Sequence, residues 1–525
     1  MRKKLIVLIM IAGCTLSFAQ MTNIDALKFI QTDINGTARY VGMAGAFGAL
    51  GGDPSAIKDN PAGLGIYRRS DLSTSLNLLT QGTRSNWDGN IQKDCLYKGK
   101  LDNISYILAL PTWAQVNGES KGLLYSNFSF SYNRLKNFDR NMIISGNGFE
   151  SSLTDYMADL VNGAEVYARH AFIGDDMTYN NEHIAWLSVL GYKSYLINEL
   201  FDNNGKHVGW GSELSIGEKT VPTYRLQERG YVDEYALAWS GNFSNRFYLG
   251  ASFNISAINY RISSSYREDL VNRGNDYFVL RNDYTALGIG VNLKLGAIYR
   301  LSDAVRLGFS YQIPTYLIVE EQFAPTVEYS INHSTENRQR EEGYSPVDGG
   351  GTFQIKKPMQ LNASAAYLFG SKGLLSAEYV YNAYGNTRFY DENGNSNTFE
   401  YENSTMKDVF QGAHTIKIGA EYRLTDFVSL RGGFATTTAA TKSDAAKNMF
   451  TNTIHTNPEY FLHKSTNYFT AGAGYRNNNW YFDLGYMHKR HNESFMPYNW
   501  DRNLLPAANV VTSNNNIVAT IGLRF

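Results

Sequence analysis

Strict period-two alternation, repeated segment after segment from about residue 66 onward, constrains this chain more than any other feature of its sequence. A strand with one dry and one wet face carries apolar residues at every second position. In the run Leu287 to Leu301, Leu287, Ile289, Val291, Leu293, Leu295, Ala297 and Tyr299 alternate with Gly288, Gly290, Asn292, Lys294, Gly296, Ile298 and Arg300. Phe247 to Ala257 and Ile517 to Phe525 repeat the pattern. Fourteen segments can be marked: 66–79, 101–112, 121–145, 219–242, 245–267, 277–300, 304–331, 352–369, 373–390, 406–424, 427–440, 465–476, 480–492 and 513–525. Short links at 241–245, 301–304, 370–372, 425–426 and 477–479 alternate with long polar ones at 332–351, 391–405, 441–464 and 493–512. A soluble sandwich has no reason to alternate in this way. A membrane barrel does, with tight turns on one rim and longer loops on the other. The pattern predicts an all-β fold, a transmembrane antiparallel β-barrel of about 14 strands spanning residues 66–525.

Composition agrees where it bears on this. Tyr (37), Phe (28) and Gly (47) are plentiful and Pro (11) is scarce. A mean hydropathy of −0.34 suits a wall that shows half its residues to lipid and half to water. The near-zero net charge of −1 argues against a nucleic-acid partner. At the start, Arg2, Lys3 and Lys4, the apolar run Leu5 to Ala12, and Ser17-Phe18-Ala19 read as a signal peptide over residues 1–19. Ile11-Ala12-Gly13-Cys14 offers a competing lipoprotein-type cleavage site. Cleavage after Ala19 leaves Cys95 as the single thiol. Residues 146–218 are too long for a plain loop and carry helical spacing at Leu153, Tyr156, Met157, Leu160 and Val161, and at Ile184, Leu187, Leu190 and Leu196. They predict a helical extracellular insertion, either a contact surface or a cover for the barrel mouth.

Residues 36–65 do not alternate. They are dense in Gly and Ala, as close packing of backbone against backbone requires, and they predict that residues 20–65 form a plug in the lumen. Gly42, Gly45, Gly48, Gly51 and Gly52 lack dinucleotide-fingerprint spacing and are not preceded by a strand. The run Ala38-Arg39, Gly42, Gly45-Ala46-Phe47, Ala49-Leu50, Asp53, Ser55-Ala56 and Asn60-Pro61-Ala62-Gly63 resembles the hatch of the FadL/TodX family of outer-membrane hydrophobic-compound transporters. Tyr132 to Gly146 also looks like the third strand of family members from Bacteroides-like bacteria. The resemblance implies a fourteen-stranded barrel whose hatch motif falls on Asn60, Pro61 and Ala62. It also implies passive uptake of long-chain fatty acid-like or aromatic compounds, with sideways release at a kinked third strand. Some relatives instead serve secretion systems or are described as haemin receptors, so a partner-binding role on the same scaffold is the alternative.

Alternation also selects lumenal charges. Lys294, Lys417 and Glu378 fall near mid-depth at roughly 3.3 Å per residue, where they can meet a ligand headgroup or form an ion-pair network between plug and wall. Arg300, Arg423 and Arg431 read as solvated groups near the turn rim. His455, His463, His488 and His491 show no spacing that marks a metal or haem site, and no nucleophile–base set stands out. Neither a cofactor nor enzymatic activity is therefore expected. The expected partners are outer-membrane lipid, a hydrophobic small-molecule ligand and the barrel-assembly machinery, whose end signal Phe525 resembles. A monomer is expected.

Overall fold

The computed structural model describes residues 22–525 except 215–216, 272, 275, 333–336 and 345–348; the expected signal peptide and Cys14 lie outside the described residues. A single antiparallel sheet closes on itself as a barrel of fourteen strands. They are β1 (Asp71–Trp87), β2 (Asn90–Pro111), β3 (Leu123–Asn137, continued by Arg140–Ser145), β4 (Thr220–Phe243), β5 (Phe247–Leu270), β6 (Tyr277–Arg300) and β7 (Val305–Gln312 with Thr315–Asn332). There follow β8 (Gly349–Lys357 with Gln360–Phe369), β9 (Gly373–Asn382), β10 (Ala413–Arg423), β11 (Val428–Thr437), β12 (Tyr460–Arg476), β13 (Trp480–Met496) and β14 (Ala508–Arg524). Closure comes from β1 pairing with β14, from Asp71 opposite Arg524 to Asn86 opposite Asn509. Pro314 and Pro358 interrupt β7 and β8, because proline has no N–H to give the ladder.

The alternation sorts residues as the sequence predicts. Leu287, Ile289, Val291, Leu293 and Leu295 are all 45–56% exposed on the outer wall, while Asn292 and Lys294 are buried in the lumen. Several strand limits differ from the expected ones. Residues 80–100 are not a connection but the outer half of a β1–β2 hairpin, turned by Asp88 and Gly89 with φ of 49° and 83°. Both positive values suit a two-residue primed turn, which matches the twist of the paired strands. Residues 66–70 belong to the N-terminal segment, because β1 starts only at Asp71. The segment expected as strand from 406 opens instead as α5 (Glu400–Val409), and β9 is interrupted by a 3₁₀ turn at Tyr384–Asn386 before Arg388–Asp391 rejoins the ladder opposite Phe353–Lys356 of β8.

Upstream of the wall, α1 (Asn23–Ile30), α2 (Ala38–Gly42) and two 3₁₀ turns (Pro54–Lys58, Pro61–Ile66) lie inside the barrel, and most of their residues are buried. The 146–218 stretch holds α3 (Leu153–Ala168), α4 (Trp186–Lys193) and a hairpin of Ile197–Phe201 with His207–Ser212. Every apolar position that showed helical spacing there is buried. A capping box of Ser152 and Asp155 starts α3. The stretch packs on the rim away from the tight turns: the Trp186 N–H donates to the Thr453 carbonyl at 2.9 Å, and the Ser151 and Tyr498 hydroxyls lie 2.8 Å apart.

Depth in the bilayer should decide the cost of charge on the outer face. Ile289→Arg and Leu293→Arg should each destabilise the barrel by about 2–4 kcal/mol, whereas Leu301→Arg at the turn rim should cost about 1 kcal/mol or less. Equilibrium unfolding from lipid vesicles would measure both, and equal costs would show the facing or the depth to be wrong.

Candidate functional site

The N-terminal segment is held to the wall from several sides at once. Asn60 caps the 3₁₀ turn that begins at Pro61 by accepting from the Ala62 N–H at 3.1 Å. Its amide nitrogen donates to the Gly48 carbonyl at 2.7 Å and to the Ala297 carbonyl of β6 at 3.3 Å, so one side chain ties the turn to itself and to the barrel. The wall must approach very closely here. A Cβ on Gly296 would stand 2.0 Å from Asn60 Oδ1, and one on Gly485 of β13 would stand 2.6 Å from the Ala38 carbonyl. Ala62 is fully buried against Tyr248 and Ile298.

Charge pairing supplies the rest of the attachment. Lys417 Nζ lies 2.8 Å from Glu378 and 3.2 Å from Asp59 of the N-terminal segment, while Glu378 accepts from the Gly48 N–H at 2.7 Å. Arg39 meets Glu421 at 2.8 Å, and Arg431 joins the same carboxylate at 2.7 Å and Asp483 at 2.5 Å. Arg431 is therefore buried and paired, not solvated as its place near the turn rim suggested. Further out, Asp33 meets Lys489 at 2.6 Å and Asp25 meets Lys447 at 2.9 Å. Burial alone would raise the Asp25 carboxyl, but Lys447 and Lys28 override it and hold it well below the usual carboxylate range. The same balance, with Lys489 the main partner, leaves Asp33 at about 2.

Between this segment and the outer loops lies a cavity of about 200 Å³. Aromatic and aliphatic walls (Phe138, Tyr224, Phe461, Ile262) alternate there with charged groups (Arg140, Glu228). A smaller chamber of about 50 Å³ adjoins it and shares Thr32, Asp33, Asp59 and Gln360. Lys294 lines this chamber and is paired to Glu234 of β4 at 2.7 Å. Lys357 lines it too. At 8% exposure it has no hydrogen bond or ion pair among the described residues, and although the sequence marks 352–369 as a strand, nothing local sets Lys357 apart from Lys356 beside it.

The wall beside the cavity is incomplete. Pairing of β2 with β3 stops at Asn103 opposite Asn133. Beyond it the register of β3 shifts between Arg134 and Lys136, and the chain breaks at Phe138-Asp139. Its continuation stays on β4 but steps inward across β1, where the Thr83 and Ser85 hydroxyls donate to the Asn141 and Ile143 carbonyls at 2.8 and 2.7 Å. The outer half of β2 keeps β1 on one edge and has no ladder on the other.

No protein-family model matches the chain, and no curated protein matches it. Solved structures do. The Pseudomonas putida toluene transporter TodX aligns at 12% identity and a TM-score of 0.50, over 94% of this chain and 99% of that one. A Pseudomonas aeruginosa FadL homologue aligns at 12% identity and a TM-score of 0.51, again over 94% and 99%. At such identities the likeness establishes architecture: this chain has the β-barrel fold of the FadL and TodX structures.

Proposed function

We propose that the protein carries hydrophobic small molecules passively across the outer membrane, with residues 20–65 acting as the hatch and release occurring sideways through the wall. The observation that carries this reading is the end of the β2–β3 ladder at Asn103 and Asn133. From Pro111 near the turn rim to Asn103 the strand climbs roughly 26 Å, or about 20 Å of height at a tilt near 40°, so the break opens within the outer part of an apolar band about 25 Å tall. An apolar solute gains by leaving there into lipid and gains nothing from a wet channel. The transport named for TodX supports the same reading.

The favoured ligand is amphipathic and anionic, a fatty acid-like molecule before a neutral aromatic one. Lys357 is a buried ammonium facing a chamber that has apolar walls at Phe29, Leu135 and Leu317. An isolated buried charge is costly until a counter-charge arrives. Lys294 is the second contact in this proposal, whereas Lys417 and Glu378, both engaged with the hatch, position the site's floor.

Three outcomes test this reading. Joining Lys98→Cys to Asp139→Cys with a short bis-maleimide, in a Cys95→Ser background, should stop uptake of every hydrophobic probe; unchanged uptake removes sideways release. Those two positions bracket the gap, where the native side chains meet at 3.2 Å. Lys357→Met should weaken binding of a long-chain fatty acid by about 1.5–3 kcal/mol and leave toluene binding unaltered. Equal effects on both ligands would remove the anionic preference. Asn60→Ala should slow uptake while heat-modifiable barrel stays at normal levels in the membrane, because it removes three side-chain hydrogen bonds, two within the hatch and one to the Ala297 carbonyl, and none of the wall ladder.

A further inference from the structure

Strands β12 and β13 bring His463 beside His491 and Glu493, which share one face of β13 two residues apart. His463 sits opposite Glu493, and the next register pair is Thr466 with His491, because a bulge adds one residue to β12 between them. The bulge brings the two imidazoles within 4.8 Å of one another, centroid to centroid, on the cavity side. His491 Nε2 lies 3.4 Å from Glu493 Oε1, and His463 Nε2 lies 3.8 Å from the same oxygen. Side-chain exposures of 18%, 15% and 2% for His463, His491 and Glu493 leave room for an ion but little for bulk water.

The surrounding hydrogen bonds leave these donors unused. Thr466 Oγ1 and His491 Nδ1 share a hydrogen bond of 2.7 Å, which directs the Nε2 lone pair of His491 inward if Nδ1 carries the proton. Arg140 donates to Glu493 Oε2 at 2.6 Å and leaves Oε1 facing the histidines. His491 Nε2 and His463 Nδ1 are buried without a hydrogen-bond partner, an uncommon state for polar atoms in a native interior. In a tetrahedral site with bonds of about 2.0–2.1 Å, ligand atoms stand about 3.3–3.4 Å apart. The two imidazole-to-carboxylate separations, 3.4 and 3.8 Å, are close to that before any ion draws the groups in, and all three ligand atoms lie within 4.8 Å of one another.

We propose that His463, His491 and Glu493 bind one divalent transition-metal ion of the zinc class on the lumenal wall of the cavity. Two imidazoles and one carboxylate oxygen suit Zn²⁺, Ni²⁺ or Cu²⁺ and are a poor set for Mg²⁺ or Ca²⁺, which want oxygen donors throughout. Three protein ligands leave at least one coordination position for water or for an anion in the cavity. The site does not depend on the transport reading, and its test does not use transport.

Untagged protein in detergent, stripped with a chelator, would be titrated with Co²⁺ and followed by its visible d–d absorption, with Zn²⁺ as competitor. One Co²⁺ per chain, displaced by Zn²⁺, is expected. His463→Ala and His491→Ala should each abolish the band. Thr466→Val keeps all three ligands and should weaken binding by about 10–100-fold. His488→Ala should change nothing, since His488 is on the other face of β13 and bonds to Asn515 at 2.9 Å. Heat-modifiable migration would confirm that each variant is folded. Failure of the native chain to bind Co²⁺, or retention of the band in the double histidine variant, overturns the proposal.

Discussion

Backbone N–H and C=O groups in hydrocarbon must find partners within the protein, and closure of β1 on β14 is the condition that lets every other strand here exist. Everything irregular is confined to places where that demand is met otherwise. Two of the interrupted strands, β7 and β8, break at Pro314 and Pro358, which have no donor to lose. The bare edge of outer β2 carries Lys93, Asp94 and Lys98, charges that suit water and discourage pairing with another chain. The inward step of β3 finds its partners on β4 and in the Thr83 and Ser85 hydroxyls, so the wall opens without stranding the backbone of the displaced segment.

Closing a barrel of this size creates a second demand, because wall side chains alone cannot fill so wide a lumen. The N-terminal segment meets it by backbone-to-backbone approach at glycines such as Gly296 and Gly485, and by ion pairs at every height. Those pairs are buried, so they contribute modestly to net stability, yet removing either partner leaves a charge stranded. Their value here is positional. Lys417 reads Asp59 and Glu378 together, and Glu421 holds Arg39 and Arg431 together, which fixes the segment's height and rotation in the barrel.

Period-two alternation made the strand number and the inward or outward facing legible, because each lipid-facing strand repeats it independently of its neighbours. It failed where both faces of a strand are polar. Outer β1 and β2 run through Gln81, Thr83, Arg84, Gln92 and Lys93 and show no dry face, although Asp88-Gly89 is a strong hairpin signal. Facing alone singles out Lys294, Lys417 and Glu378, and their partners lie 39 to several hundred residues away and have no local mark. The His463–His491 pair escaped for a related reason. Its 28-residue separation becomes a neighbour relation only through a bulge, which shifts register by one and which no spacing rule anticipates.

The character of the cavity follows from these two demands acting together. A lumen built only to pass apolar solutes would be lined by apolar side chains throughout, but here the same wall also holds the N-terminal segment by charge. Charges needed for attachment therefore reach the cavity surface, and most are cancelled: Arg140 by Glu228 and Glu493, Lys489 by Asp33, Lys294 by Glu234. In the proposed transport function, what remains uncancelled carries the selectivity. Paired charges present little net field to a neutral molecule, so aromatic and aliphatic surface at Phe138, Tyr224 and Phe461 stays usable for apolar contact. Among the described residues, Lys357 lines the inner chamber with an ammonium that has neither a hydrogen bond nor an ion pair, and that chamber shares Gln360 and Asp59 with the larger one. A molecule with an apolar body and one anionic end satisfies both regions at once, which a uniformly apolar or uniformly charged solute cannot do.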